Sequence, residues 1–129
     1  KTSKGKYIAP APIENKLMAN QAIELVCVSG ANQTQPFAMI QLAEGIRPTV
    51  GDPNVRKELE AELTELVERV NKTVDPHEQL AFVIIVSDEW TIENSFLTPT
   101  LKLKRNVVEN TYENQVNELY AQRKKVVWQ

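Results

Sequence analysis

Two groups of basic side chains sit where the chain turns sharply, and they are the residues best placed to do chemistry. One is Lys4 and Lys6, on either side of Gly5. The other is Lys102, Lys104 and Arg105, within Leu97-Thr-Pro-Thr-Leu-Lys-Leu-Lys-Arg105. In the second group Pro99 fixes the approach, and leucines then alternate with lysines. Successive side chains of an extended segment point to opposite faces, so Leu101 and Leu103 are expected to anchor one face and Lys102 and Lys104 to stand out on the other. An ammonium mounted on an anchored backbone is suited to reach into another domain's active site. Lysine is also a default surface residue, and a purely solvated role is the competing reading for each of these side chains.

The other familiar catalytic arrangements are missing. There is no glycine loop to cradle phosphate, no metal-ligand spacing, and no nucleophile with a histidine at hand. The single cysteine, Cys27, lies in the apolar run Ile23-Glu-Leu-Val-Cys-Val28 and reads as a small buried hydrophobe in a reducing compartment. The single histidine, His77, has no cysteine or second histidine in register, so no metal site is assigned.

The elements that must position the lysines follow from periodicity and punctuation. At 129 residues, 42% hydrophobic and 25% charged, the chain is one globular domain able to bury a core. A net charge of −2 gives no reason to expect nucleic acid as a partner, and no apolar run approaches a membrane span. Lys1 to Ile8 suggests two short strands turning at Lys4-Gly5, and Pro12 opens a short helix carrying Ile13 and Leu17. Ala22–Val28 and Pro36–Leu42 read as a hairpin. Asp52-Pro53 opens a long helix with an apolar stripe of Val55, Leu59, Leu63, Leu66, Val67 and Val70. The acidic remainder of that helix reads as a solvated face. Asp75-Pro76 repeats the start signal for a short helix. Ala81–Val86 is expected to be a buried central strand, and a last helix runs from about Arg105 to Tyr120 with Val108, Tyr112, Val116 and Leu119 inward. Residues 121–129 read as a tail. The fold class is α+β: a small central sheet of about three longer strands, a short N-terminal β-hairpin and flanking helices.

Trp90-Thr-Ile-Glu-Asn-Ser-Phe-Leu-Thr-Pro-Thr-Leu-Lys-Leu-Lys-Arg105, continuing to Tyr112, closely resembles the C-terminal signature of long-chain acyl-CoA synthetases, in the adenylate-forming superfamily. Thr2-Ser-Lys-Gly-Lys-Tyr-Ile-Ala-Pro-Ala-Pro-Ile-Glu-Asn-Lys16 resembles the segment that follows the family's interdomain hinge. Thr100-Leu101-Lys102 stands where smaller relatives carry Ser-Gly-Lys, which favours the long-chain branch. Ser95-Phe96 departs from that branch's usual Gly-Leu.

The resemblance implies that residues 1–129 are the mobile C-terminal domain of an ATP-dependent long-chain fatty acid:CoA ligase of fatty acid metabolism. The hinge and the large N-terminal domain would precede Lys1. In the implied reaction a fatty acid carboxylate attacks the α-phosphate of ATP, and coenzyme A thiol then displaces AMP. Lys102 matches the adenylation lysine, and Gly5 the loop that faces the active site in the thioester step, with Lys4 and Lys6 near coenzyme A. ATP, Mg2+ and fatty acid would be held mainly by the N-terminal domain, none by this domain alone. A cytoplasmic location is implied, with peripheral membrane contact by the parent open because its substrate partitions into lipid. Two alternatives stand beside this: a free-standing, non-catalytic α+β module that binds a protein partner, and the same domain in an adenylating enzyme whose acceptor is not coenzyme A.

Overall fold

A computed structural model describes Gly5, residues 7–30 and residues 33–129. Helix α1 (Pro10–Leu17) leads into strand β1 (Ile23–Ser29), which pairs antiparallel with β2 (Phe37–Leu42). Helix α2 (Pro53–Asn71) crosses to β3 (Val83–Ile85), parallel to β2, and α3 (Arg105–Ala121) crosses to β4 (Val126–Trp128), parallel to β3. The strands lie in the order β1-β2-β3-β4. Short 3-10 turns occupy Arg47–Thr49 and Pro76–Glu78.

The central strands are buried on both faces, and their alternation sorts the apolar residues into two cores. Ala38, Ile40, Val83, Ile85 and Val126 face α1 and α2, meeting Ile13, Leu17 and the stripe Leu59, Leu63, Leu66, Val67 and Val70. Phe37, Met39, Ile84 and Val127 face the other way, onto Val108, Tyr112 and Leu119 of α3. The two parallel crossovers step in the same direction yet leave their helices on opposite faces, so one of them departs from the usual right-handed preference.

Local signals match local structure. Asp52 caps α2 by accepting from the Asn54 N–H at 2.9 Å, with Pro53 at the first helical position. The long helices and the β1–β2 hairpin fall where periodicity puts them. The tail differs: Val126–Trp128 forms β4, whose Trp128 indole donates to Glu60 of α2 at 2.5 Å. The expected N-terminal hairpin falls mostly on residues outside the described ones, and Tyr7 to Ala9 are not in a strand.

One ion pair joins three elements. Glu14 of α1 accepts from both terminal nitrogens of Arg105, the first residue of α3, at 2.8 and 3.1 Å. Glu14 also accepts from the Val28 N–H at 2.8 Å, and Arg105 donates to the Val28 carbonyl at 2.8 Å. Strand β1 lies at the sheet's edge, where backbone groups lack a strand partner, so the pair satisfies both polar groups of Val28 there. The Glu14 side chain is only 15% exposed and Arg105 41%. Arg105 also lies 3.5 Å from the Cys27 sulfur. Burial pushes the Cys27 thiol up to about 12, with the Arg105 charge pulling the other way.

Glu14→Ala removes three charge-assisted hydrogen bonds and is expected to cost about 2–3 kcal/mol in denaturant unfolding. Glu65→Ala, which breaks the exposed Arg69–Glu65 pair at 3.9 Å, should stay within about 0.5 kcal/mol. Equal losses for the two variants would contradict this ranking. Because the fold holds Cys27 as neutral thiol, that contribution to stability is complete below the ordinary thiol range and is lost as pH climbs toward about 12. At pH 8 an aromatic disulfide reagent should label Cys27 only after denaturation. Rapid stoichiometric labelling of the native protein would contradict its burial.

Candidate functional site: a braced lysine hairpin

The segment between β3 and α3 would be a long loop were it not pinned from below. Its anchor is Trp90, 2% exposed. Gln41, the one buried polar residue among those described, accepts from the Trp90 N–H at 2.5 Å and donates to Glu24 at 2.6 Å. The Trp90 indole donates to the Tyr112 hydroxyl at 3.1 Å, which donates to Asp88 at 3.0 Å. Phe96 packs near both rings, its centroid 6.1 Å from Trp90 and 6.4 Å from Tyr112. Burial pushes the Tyr112 hydroxyl up to about 12, so it remains a donor at neutral pH. Asn94 laces the loop above, accepting from the Thr91 and Phe96 N–H groups and donating to the Glu89 carbonyl.

On this base stands a small hairpin. Leu97 and Leu103 form its bridge, and the Lys104 N–H donates to the Phe96 carbonyl at 2.8 Å. Thr98-Pro99-Thr100-Leu101 makes the turn, closed by the Leu101 N–H donating to the Thr98 carbonyl at 2.8 Å, with Pro99 supplying the pre-set φ. Leu101 then takes a left-handed φ of 65°, as a three-residue hairpin loop requires. Thr98 holds Lys102 at both ends: its N–H donates to the Lys102 carbonyl at 2.8 Å, and its hydroxyl accepts from the Lys102 N–H at 3.1 Å.

Lys102 therefore has a fixed backbone and an exposed side chain. The ion pairs among the described residues do not include it. Its mounting differs from the sequence expectation. Leu101 does not share a buried face with Leu103; it is 63% exposed at the turn, because closing the loop interrupts the period-two alternation. Leu97 and Leu103 are the anchoring pair instead. The basic cluster also splits, since Arg105 turns inward to Glu14 while Lys102 points out.

Gly5 is exposed with a φ of +77°, and a Cβ there would meet nothing within 4 Å. Its glycine thus answers a backbone need and not crowding within this domain. Lys4 and Lys6 lie outside the described residues. The two motifs do meet, through Glu14 and Arg105. That contact had no local signal, the partners being 91 positions apart in the chain. Asp75, His77 and Glu78 bring one ligand atom each within 4.8 Å. Their closeness follows from the helix start, where the Asp75 N–H donates to Glu78 at 3.1 Å.

The chain is 31% identical over 134 residues to the long-chain-fatty-acid–CoA ligase 6 of Homo sapiens, covering 94% of this chain and 19% of that protein. It is 28% identical over 123 residues to a chloroplastic long-chain-fatty-acid–acyl-carrier-protein ligase of Arabidopsis thaliana, covering 92% of this chain and 16% of the relative. The chain thus spans less than a fifth of the length of these relatives. Its fold matches the crystallised adenylation domain of a carboxylate reductase from Mycobacterium chelonae with a TM-score of 0.78 at 18% identity, over 94% of this chain and 19% of that one. The model of the AMP-binding enzyme C-terminal domain matches residues 1–124, and the chain belongs to that family.

Proposed function

We propose that this chain is the mobile C-terminal domain of an ATP-dependent long-chain fatty acid:CoA ligase, and that Lys102 is its adenylation lysine. The observation that carries the reading is the braced hairpin, which holds one exposed ammonium on a backbone fixed by Thr98 and by buried Leu97 and Phe96. Adenylation brings a carboxylate against a phosphate. Charge gathers on the phosphorus oxygens as the acyl–oxygen–phosphorus bond forms and pyrophosphate leaves. A cation that bridges both anions stabilises that arrangement where the charge develops. In the second step the coenzyme A thiol attacks the acyl carbonyl and AMP departs. Gly5, with its left-handed backbone, and its neighbours Lys4 and Lys6 then form the face turned toward the active site. Bound Mg2+ would offset phosphate charge, and no residue of this domain is assigned to hold it.

A second reading changes only the acceptor. One relative is a long-chain-fatty-acid–acyl-carrier-protein ligase, so a carrier-bound thiol is the alternative to free coenzyme A. Supplying each acceptor to the full-length enzyme separates the two. Free acyl-CoA as product supports the first reading, and product appearing only on the carrier supports the second.

In a full-length enzyme carrying this domain, Lys102→Ala should lower fatty-acid-dependent exchange of pyrophosphate into ATP by about 100- to 1,000-fold. Thioester formation from a pre-made acyl-adenylate should largely survive. Both rates near wild type would make Lys102 an ordinary surface lysine.

A further inference from the structure

Leu101 is a leucine where the backbone favours glycine and solvent exposure favours a polar side chain. Its φ of 65° lies in the left-handed region, where a Cβ crowds the neighbouring carbonyl and glycine or asparagine sits more easily. Its side chain is 63% exposed, so the domain's own core gains little from it. The other described non-glycine residues with positive φ, Ser95 and Arg123, are polar and exposed, which water accommodates. The tip Pro99-Thr100-Leu101 carries no charge and is followed directly in the chain by the exposed Lys102. A surface that receives this tip must offer an anionic centre for the lysine and an apolar rim beside it.

We propose that Leu101 is a docking residue that packs against the apolar rim of the substrate cleft on the large adenylation domain when Lys102 is engaged there. This rests on the reading of Lys102 given above. The chain spans about a fifth of the relatives it matches, and the remainder of such an enzyme is the surface available to the tip. Contact made only in that closed arrangement would favour adenylation and leave the thioester step alone.

Three substitutions separate docking from turn geometry. Leu101→Gly and Leu101→Asn relieve the left-handed strain but remove the apolar side chain, whereas Leu101→Met keeps the apolar side chain and the strain. In the 129-residue chain, the Gly and Asn variants should melt at or above the wild-type temperature and Met at or below it. In the full-length enzyme, Gly and Asn should lower pyrophosphate exchange about tenfold or more, the fold-change that burying one leucine side chain corresponds to. Met should stay within about threefold of wild type on the same reasoning. If exchange instead follows the turn preference, with Gly and Asn matching wild type, the docking role is overturned. Lower melting temperatures for both Gly and Asn would overturn it too, by assigning Leu101 to the domain's own packing. Lys102→Ala in the same assay separates the two failures. If it abolishes exchange while Gly and Asn do not, only the Leu101 role falls; if exchange survives it, the role of Lys102 falls and this inference with it.

Discussion

The Glu14 carboxylate is the point on which the arrangement turns. It accepts from two nitrogens of Arg105 and from the Val28 amide, and so joins the second turn of α1, the exposed edge of β1 and the first residue of α3. The far strand of the lysine hairpin runs directly into α3, so fixing Arg105 also fixes where that strand ends. Glu14 is largely sheltered, although Arg105 is 41% exposed, and the several hydrogen bonds of the pair make it stronger than a lone surface ion pair. The hairpin's other support is independent of it. Gln41, buried within the sheet, holds Trp90, and Trp90 carries Phe96. Lys102 is thereby referenced to α1 through one support and to the sheet through the other.

What can be read from the residues in order is what local physics decides. The Asp-Pro start and the apolar stripe of α2, the β1–β2 hairpin and the inward face of α3 all rest on short-range pattern, and they stand where the pattern puts them. Strand β4 does not announce itself: Val126–Trp128 is three residues long and gains its partner only by parallel pairing with β3. Strand order depends on that same non-local pairing. At the site, the alternation of Leu101 through Lys104 predicts a straight extended segment. Turn closure by Thr98 and Pro99 is stronger than that alternation and throws Leu101 out to solvent. Lys102 keeps its predicted exposure for a different reason than predicted. The Glu14–Arg105 contact was written in two recognisable motifs, yet nothing in either one says that they touch.

A single cation is a small contribution for a domain of this size, and its surroundings decide its worth. Two unit charges 4 Å apart interact by about 1 kcal/mol in bulk water and by about 4 kcal/mol where the effective dielectric constant is near 20. On the proposed reading, an exposed Lys102 would contribute little while the domain stands open and more once a partner surface excluded water around it. A domain that swings would gain from carrying its charge on a rigid hairpin, because the ammonium then arrives already placed.

The most direct test replaces Lys102 with methionine, which keeps most of the side chain's length and removes its charge. Single-turnover formation of acyl-adenylate would be followed in the full-length enzyme under saturating ATP and fatty acid. A fall of about 100-fold or more, with the melting temperature unchanged, is the result expected of a cation that acts on developing phosphate charge. A single-turnover rate within about threefold of wild type, less than one transition-state hydrogen-bond donor is worth, would contradict the account.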